Sequence, residues 1–360
     1  MKKIIVITQT LNTDSGWGRY SLEIVKRLKK SIEVEVLVEG EETENLKGSK
    51  SFISFLKNLI LVRKKARKAD IIHAFDGWPY AIYGYFAVLG TSKKLFINAI
   101  GTYSIAPLDS IFIKRLLLKM SYLKALAIFS ISSYTKKELE NRISEVKVLV
   151  VPLGTSLLTP ITTTDSKITE HLISSNTPIV LSVGALKKRK GQIYTLQAIS
   201  ILKKDFPNIL YVIVGDDSDV SYKNELLDLI REKKLEKNVL FLKNINDQEL
   251  SEWYRSADVQ ALNSVNHDGH FEGFGLVVLE GYQFGLPAVG SRDCGIEDAI
   301  SDGETGYLTE QKKPEDIAKK IRIVLGKGRR SFSEDCQKYS RKFNWDKTVE
   351  MYLQSYRGLV

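Results

Sequence analysis

The sequence predicts an α/β protein of two Rossmann-like, doubly wound domains facing a central cleft, and three observations predict it. Its 360 residues exceed one ordinary domain and suit two, each able to bury its own core. Short β-rich runs alternate with helical patterns almost throughout, and apolar strands joined through helices make parallel sheets covered on both faces. Between two such series lies Leu157-Leu158-Thr159-Pro160-Ile161-Thr162-Thr163-Thr164-Asp165-Ser166, rich in Thr and Pro and poor in periodicity, which reads as an interdomain linker.

The first series opens with the apolar run 3–8. It stops at Thr8 and passes into Gln9, Asn12, Asp14 and Ser15, so it reads as a buried first strand rather than the core of a leader peptide. Further strands are expected at 33–38, 71–74, 95–99, 127–131 and 146–151, with helices between them, among others at 18–30, 52–67 and 134–142. The second series begins after Pro178, with strands at 179–183, 210–214, 239–242, 259–261 and 288–289. Helices are expected at 192–203, 222–233, 247–255 and 276–284. At the end, Phe343-Asn344-Trp345-Asp346 leads into Val349, Tyr352, Leu353 and Tyr356, an amphipathic helix whose aromatic stripe reads as core packing. The expected domains are 1–155 with the closing helix 343–360, a linker 156–177, and a second domain 178–342. In such sheets ligands sit at the carboxyl ends of the strands.

Composition excludes several classes. With 43% hydrophobic and 27% charged residues, disorder is not expected. Two cysteines, Cys294 and Cys336, make no disulfide framework and no metal-ligand spacing, which suits a reducing cytoplasm. No stretch reaches the roughly 18 apolar residues of a membrane span. The net charge of +10 is lopsided: residues 1–150 carry 25 Lys+Arg against 14 Asp+Glu, while the remainder carries 28 against 29. The two halves are therefore expected to meet different partners.

The densest chemical signal is Phe271-Glu272-Gly273-Phe274-Gly275-Leu276-Val277-Val278-Leu279-Glu280. Two carboxylates stand eight residues apart around a glycine turn, and a helix starts just after it. Free amides and the positive end of the helix dipole suit a diphosphate. Glu280, about one turn into the helix, can accept hydrogen bonds from two vicinal ribose hydroxyls. The same spacing is also compatible with turn-forming glycines beside two solvated carboxylates. A second signal is Val183-Gly184-Ala185-Leu186-Lys187-Lys188-Arg189-Lys190-Gly191, where a strand ends at a glycine and a basic loop leads into a helix. Lys187 and Lys188 read as a solvated turn. Lys190, next to the helix start, is the cation expected to neutralise a phosphate.

With these pieces in place the chain resembles glycosyltransferase family four, of the GT-B fold. The Gly-x-Leu-x-x-x-Lys-Gly loop, the Glu-x7-Glu element, Gly285-Leu286-Pro287 and Asp302-Gly303-Glu304-Thr305-Gly306 match the family in order and spacing over most of residues 178–308. Weaker echoes are Val151-Pro152-Leu153-Gly154-Thr155 at the domain junction, Ser132-Ser133-Tyr134-Thr135 at a helix start, and Phe343-Asn344-Trp345 at the closing helix, which in that fold returns to the N-terminal domain. The resemblance implies that Glu280 binds the donor ribose and Lys190 the diphosphate. It also implies that Glu272, with the backbone of Phe274, Gly275 and Leu276, holds sugar and phosphates. Where the family often has Arg, this chain has Ala185, and Arg189 is the expected substitute. Glu272, Lys190 and Arg189 are thus the catalytic candidates. Gly184 and the Phe241-Leu242-Lys243-Asn244 loop, Lys243 above all, are expected on the donor. Asp216-Asp217-Ser218-Asp219 resembles a DxD metal motif, yet it follows a strand and Gly215, so a strand-end turn is expected, with Asp216 lining the cleft. No metal and no cofactor are expected.

In the first half, Asp14-Ser15-Gly16-Trp17-Gly18-Arg19-Tyr20 follows the first strand. Eight residues separate Ile7 from Gly16, and Ser21 stands where a dinucleotide fingerprint needs its third glycine. The segment instead resembles the family's N-terminal Gly-rich loop, with Gly16 and Gly18 approaching donor phosphates and Trp17 and Arg19 near the acceptor. A flexible strand–helix loop is the alternative. His73, at a strand end, is a candidate acceptor contact or a packed histidine. The family commonly places His before Gly-Thr, where this chain has Ile100, so Tyr103 and Ser104 become the local polar candidates. Two stretches, 52–68 and 111–119, mix Lys/Arg with bulky aliphatics, as basic helices on anionic membrane surfaces do; a core face opposite a solvated basic face is the bland alternative.

The expected function is transfer of a sugar from a nucleoside-diphosphate sugar to a hydroxyl of a saccharide or lipid-linked acceptor, as in polysaccharide biosynthesis. The resemblance implies retention at the anomeric carbon. The expected location is cytoplasmic, peripheral at the inner face of the membrane. The rivals are an epimerase of the same fold and a basic nucleic-acid- or membrane-binding protein. Nucleic acid is not an expected partner, because the basic stretches lack aromatics interleaved for base stacking.

Overall fold

The structure, a computed structural model, describes residues 3–12, 15–40, 45–48, 51–155 and 177–358. Asp14 and almost all of the expected linker lie outside the described residues. The chain divides into two compact units, Met1–Gly154 with Asn344–Val360, and Thr155–Phe343.

The first unit holds six parallel strands: β1 (Lys3–Ile7), β2 (Glu33–Leu37), β3 (Ile71–Ala74), β4 (Lys94–Ala99), β5 (Ala127–Ser130) and β6 (Val148–Val150), in the order β2-β1-β3-β4-β5-β6. Ile4, Ile5, Val6 and Ile7 are fully buried, which is why this strand reads as a continuous apolar run rather than an alternation. The strand order reverses between β1 and β3, so a crevice opens at their carboxyl ends.

The second unit has six more: β7 (Ile179–Val183), β8 (Leu210–Val214), β9 (Val239–Leu242), β10 (Val259–Leu262), β11 (Ala288–Ser291) and β12 (Gly306–Thr309), ordered β12-β11-β10-β7-β8-β9. This is the doubly wound order of dinucleotide-binding sheets, with its reversal between β7 and β10.

Some elements escape the sequence reading. Strand β12 is four residues long and begins at a glycine, too short for alternation to show. Helix Ile82–Val88 is buried on nearly every side, so it has no polar face to set a helical period. Helices Pro314–Lys327 and Arg330–Ser340 complete the second unit.

The closing helix Trp345–Arg357 packs on the first unit's sheet. Tyr352 lies 4.7 Å from the Phe129 ring and Trp345 6.4 Å from Tyr20, measured between ring centroids. The Thr348 hydroxyl donates to the Pro152 carbonyl at 2.8 Å, and Gly154 lies so close to Trp345 that a Cβ there would sit 2.1 Å from its backbone nitrogen.

Candidate active site

The loops that leave β7 and β10 meet at the second unit's strand reversal. After β7 the chain passes Gly184, turns once through Lys188–Lys190, and enters helix Gln192–Leu202 from Gly191. Gly191 has φ +66°, and a Cβ there would lie 1.9 Å from the Asn263 carbonyl oxygen just past β10. Only glycine permits both that conformation and that approach. The Val265 N–H donates to the Arg189 carbonyl at 2.7 Å and fastens the two loops together. On the other side the Leu186 N–H donates to the Asp216 carbonyl at 2.8 Å, holding the loop after β8 alongside.

Glu272 is where these loops converge. Its Oε2 receives Lys190 Nζ at 2.7 Å and Arg189 Nη1 at 2.9 Å, and the Ser264 hydroxyl donates to the same oxygen at 3.2 Å. The side chains of Lys190 and Glu272 are each 13% exposed. Burial pushes the Glu272 carboxyl upward, but the Lys190 and then the Arg189 charges outweigh it and hold it down at about 2. It is therefore an anion at neutral pH, and two cations on one carboxylate leave one net positive charge. Gly295 fixes its backbone by donating from its N–H to the Glu272 carbonyl at 2.8 Å.

Two helix N-termini flank this cluster. Helices Gln192–Leu202 and Leu276–Gln283 start from Gly191 and Gly275, both left-handed, and neither N-cap has a side chain to satisfy the first-turn amides. The Ile193 N–H is already taken by the Tyr222 hydroxyl at 3.1 Å. The other amides at the two helix starts, the helix dipoles and the net positive charge together suit an anion. Gly184 lies beneath the lysine: at φ +146°, a Cβ on it would stand 3.3 Å from Lys190 Cε. Phe274, Gly275 and Leu276 form the turn into the second helix. Further along it, Glu280 is buried and accepts from the Tyr254 hydroxyl at 3.2 Å.

A pocket of about 130 Å³ opens beside the loop after β7, lined by Leu186, Gly215, Asp217, Phe241 and Lys243 among others. Lys243 Nζ lies 3.5 Å from Asp217, which also pairs with Lys223 at 2.5 Å. Asp219 caps helix Val220–Glu232 by accepting from the Tyr222 N–H at 3.0 Å, and Asp216 is exposed and accepts from the Ser218 hydroxyl. Each acid of the Asp216–Asp219 string thus has a local turn, cap or ion-pair partner.

The first-unit candidates sit at the carboxyl ends of β1, β3 and β4. Gly16 opens helix Gly16–Leu28, capped by Ser15, which accepts from the Gly18 N–H at 3.0 Å. Gly18 is required by its own loop, since a Cβ there would stand 1.7 Å from the Asn12 carbonyl oxygen. Arg19 is half-buried in the first turn. The Trp17 ring lies 6.2 Å from that of Tyr103, and Tyr103 is exposed, so these two are brought together at the surface.

His73 is a correction. It is fully buried between Tyr356, whose hydroxyl is 2.6 Å from Nδ1, and Asn98, whose Oδ1 is 2.8 Å from Nε2. Burial drives its pKa to about 3, so it is a neutral core histidine with no surface to offer an acceptor. Ser104 is also buried, donating to Asp76. Asp76 itself is held up at about 7 by burial, against the hydrogen bonds from Ser104 and the Gly77 N–H.

Ser264 and Gly295, which hold the Glu272 side chain and backbone, escape the sequence reading. Ser264 stands two residues past β10, where the strand-end rule points; Gly295 has no such signal.

Residues 163–343 match the family of glycosyl transferases group 1, half of the chain, and the chain belongs to that family. A D-inositol 3-phosphate glycosyltransferase of Corynebacterium urealyticum is 31% identical over 183 residues, 49% of this chain and 42% of that protein. One from Geodermatophilus obscurus is 31% identical over 219 residues, 58% and 47%. The chain thus spans under half the length of these curated relatives. Among solved structures, a glycosyltransferase from Rickettsia africae superposes with TM-score 0.79 at 22% identity, over 99% of this chain and 98% of that one. Anabaena HepE in complex with UDP and glucose gives 0.78 at 18% identity over the whole of both chains. At these identities the likeness speaks for the fold, which is GT-B.

Proposed function

We propose that this protein moves a sugar from a nucleoside-diphosphate sugar to a hydroxyl of a saccharide or lipid-linked acceptor, with retention at the anomeric carbon and without a metal ion. The observation that carries this reading is the meeting of Lys190 and Arg189 on Glu272 between two glycine-started helix N-termini. The diphosphate lies against the net positive charge and the helix-start amides. The base enters the pocket beside Phe241 and Lys243, and Glu280 accepts from the ribose hydroxyls. Glu272, ionised and therefore only an acceptor, takes hydrogen bonds from the sugar while keeping both cations in place.

As the anomeric C–O bond to the diphosphate breaks, negative charge grows on the leaving oxygen. Lys190, Arg189 and the helix-start amides interact with that charge more strongly as it grows, so they stabilise the transition state more than the ground state. The acceptor hydroxyl attacks the same face and passes its proton to a diphosphate oxygen. The bond formed is anomeric carbon to acceptor oxygen, and the nucleoside diphosphate leaves.

HepE has been solved with UDP-glucose, which makes that donor the first probe. A panel of UDP-, GDP- and ADP-sugars screened by thermal shift, followed by NMR of the product anomer, tests the reading. One donor is expected to raise Tm and to give a product of unchanged anomeric configuration, equally with and without EDTA. No shift from any donor would sink the donor site; an inverted product would sink only the same-face mechanism. Conversion of the donor alone to an epimer would favour the epimerase.

A further inference from the structure

Two helices of the first unit are packed inside out. In helix Phe52–Ala66 the buried positions are Asn58, Val62 and Ala66, while Phe52, Ile53, Leu56 and Ile60 are 43–74% exposed. In helix Phe112–Lys124, Leu118, Ser121 and Tyr122 face inward, while Phe112, Ile113, Leu116, Met120 and Leu123 are 39–66% exposed. Exposed residues at i, i+4 and i+3 or i+4 spacing line up along one side of each helix. The inner contacts fix these faces: Asn58 donates to the Tyr83 hydroxyl at 3.1 Å, and the Tyr122 hydroxyl donates to the Ser104 carbonyl at 2.7 Å. Trp78 joins the two helices, stacked on Phe55 with ring centroids 5.8 Å apart and covered by Lys114 Nζ at 5.2 Å.

Along the chain, both stretches carry charge of one sign. No Asp or Glu occurs between Glu44 and Asp70, or between Asp109 and Glu138, whereas these stretches hold eight and six Lys/Arg. A second copy of this face would set cations against cations, which disfavours a symmetric dimer. Lys65 pairs with Glu35 at 3.2 Å, yet cations remain in excess along both stretches. An apolar strip flanked by such an excess fits the headgroup region of a bilayer, with the aliphatics at the acyl boundary and the cations among anionic headgroups.

We propose that this two-helix face docks the protein on an anionic lipid bilayer. The proposal is independent of the donor-site chemistry. It is tested by co-sedimentation of the full chain with phosphatidylcholine vesicles, with and without phosphatidylglycerol, at low and high salt. Each engaged cation is expected to contribute about fivefold, so anionic vesicles should be preferred by at least about tenfold, and salt should erase the preference. The triple variant Phe52→Ser, Ile60→Ser, Phe112→Ser alters only exposed side chains. It should keep its Tm and lose binding by at least about tenfold. Absence of binding to both vesicle types, or undiminished binding by the triple variant, would overturn the proposal. So would a wild-type dimer in sedimentation velocity that the triple variant lacks, which would assign the face to a second copy.

Discussion

Replacing Lys190 by Ala is the sharpest test of the donor site, because the structure fixes what is lost and what remains. The ammonium makes a 2.7 Å charge-assisted contact with Glu272, and Arg189 still reaches the same oxygen at 2.9 Å. A hydrogen bond to a charged group contributes about 1.5–3 kcal/mol. A diphosphate does not meet a bare cation here, since it must share Lys190 with a carboxylate already in place. The net loss for nucleoside-diphosphate affinity therefore falls toward the low end, about 1–2 kcal/mol, or roughly 5- to 30-fold in Kd. Glu272→Gln gives the opposite sign: with the competing anion neutralised, both cations are free for phosphate, and the nucleoside diphosphate should bind more tightly while the sugar nucleotide loses its advantage over it. Isothermal titration of wild type, both variants and Lys190→Ala with Arg189→Ala measures all four. Unchanged affinity in the single and the double cation variants would refute the phosphate site, and weaker diphosphate binding by Glu272→Gln would refute the competition.

Glu280→Ala should abolish discrimination between a ribonucleoside diphosphate and its 2′-deoxy analogue, a difference of roughly tenfold in the wild type if a carboxylate accepts the hydroxyl; equal discrimination in both proteins would remove Glu280 from the ribose. Gly295→Ala places a Cβ 1.9 Å from the Gly273 carbonyl oxygen. The Glu272 loop must then shift, at a cost of about 1–3 kcal/mol read in thermal unfolding, with loss of donor binding. Two buried groups of the first unit contribute opposite pH dependences. His73, at about 3, contributes stability that is full above about 6.5 and is lost as pH falls toward 3. Asp76, at about 7, contributes stability that is full below about 4 and is lost as pH rises through 7. Between pH 4 and 6.5 the two slopes oppose. Asp76→Asn should unmask His73, so that stability falls by about 1.4 kcal/mol per pH unit on acidification in that window; denaturant unfolding at several pH values that stays flat would show that His73 is not held neutral.

Much of the fold was legible in the sequence because parallel strands buried on both faces write themselves as short apolar runs, as at Ile4–Ile7 or Val180–Val183. The order and type of these runs against their helices determined the α/β class. Strand β12 and helix Ile82–Val88 carried no period, being too short in one case and buried all round in the other. The sequence also singled out Lys190, Glu272 and Glu280 by their positions beside glycines at strand ends and helix starts. Their partnership was beyond its reach. Lys190 and Glu272 meet only because β7 and β10, far apart in the chain, become neighbours where the sheet reverses, and because Gly191 lets one loop press against the other. The same limit explains His73: a polar residue at a strand end looks alike whether it faces solvent or Tyr356, and only the packing of the closing helix decides. It explains the basic helices too. Phe52, Ile60 and Phe112 are as compatible with a core as with a surface until Asn58 and Tyr122 find partners inside and turn the larger aliphatic side outward.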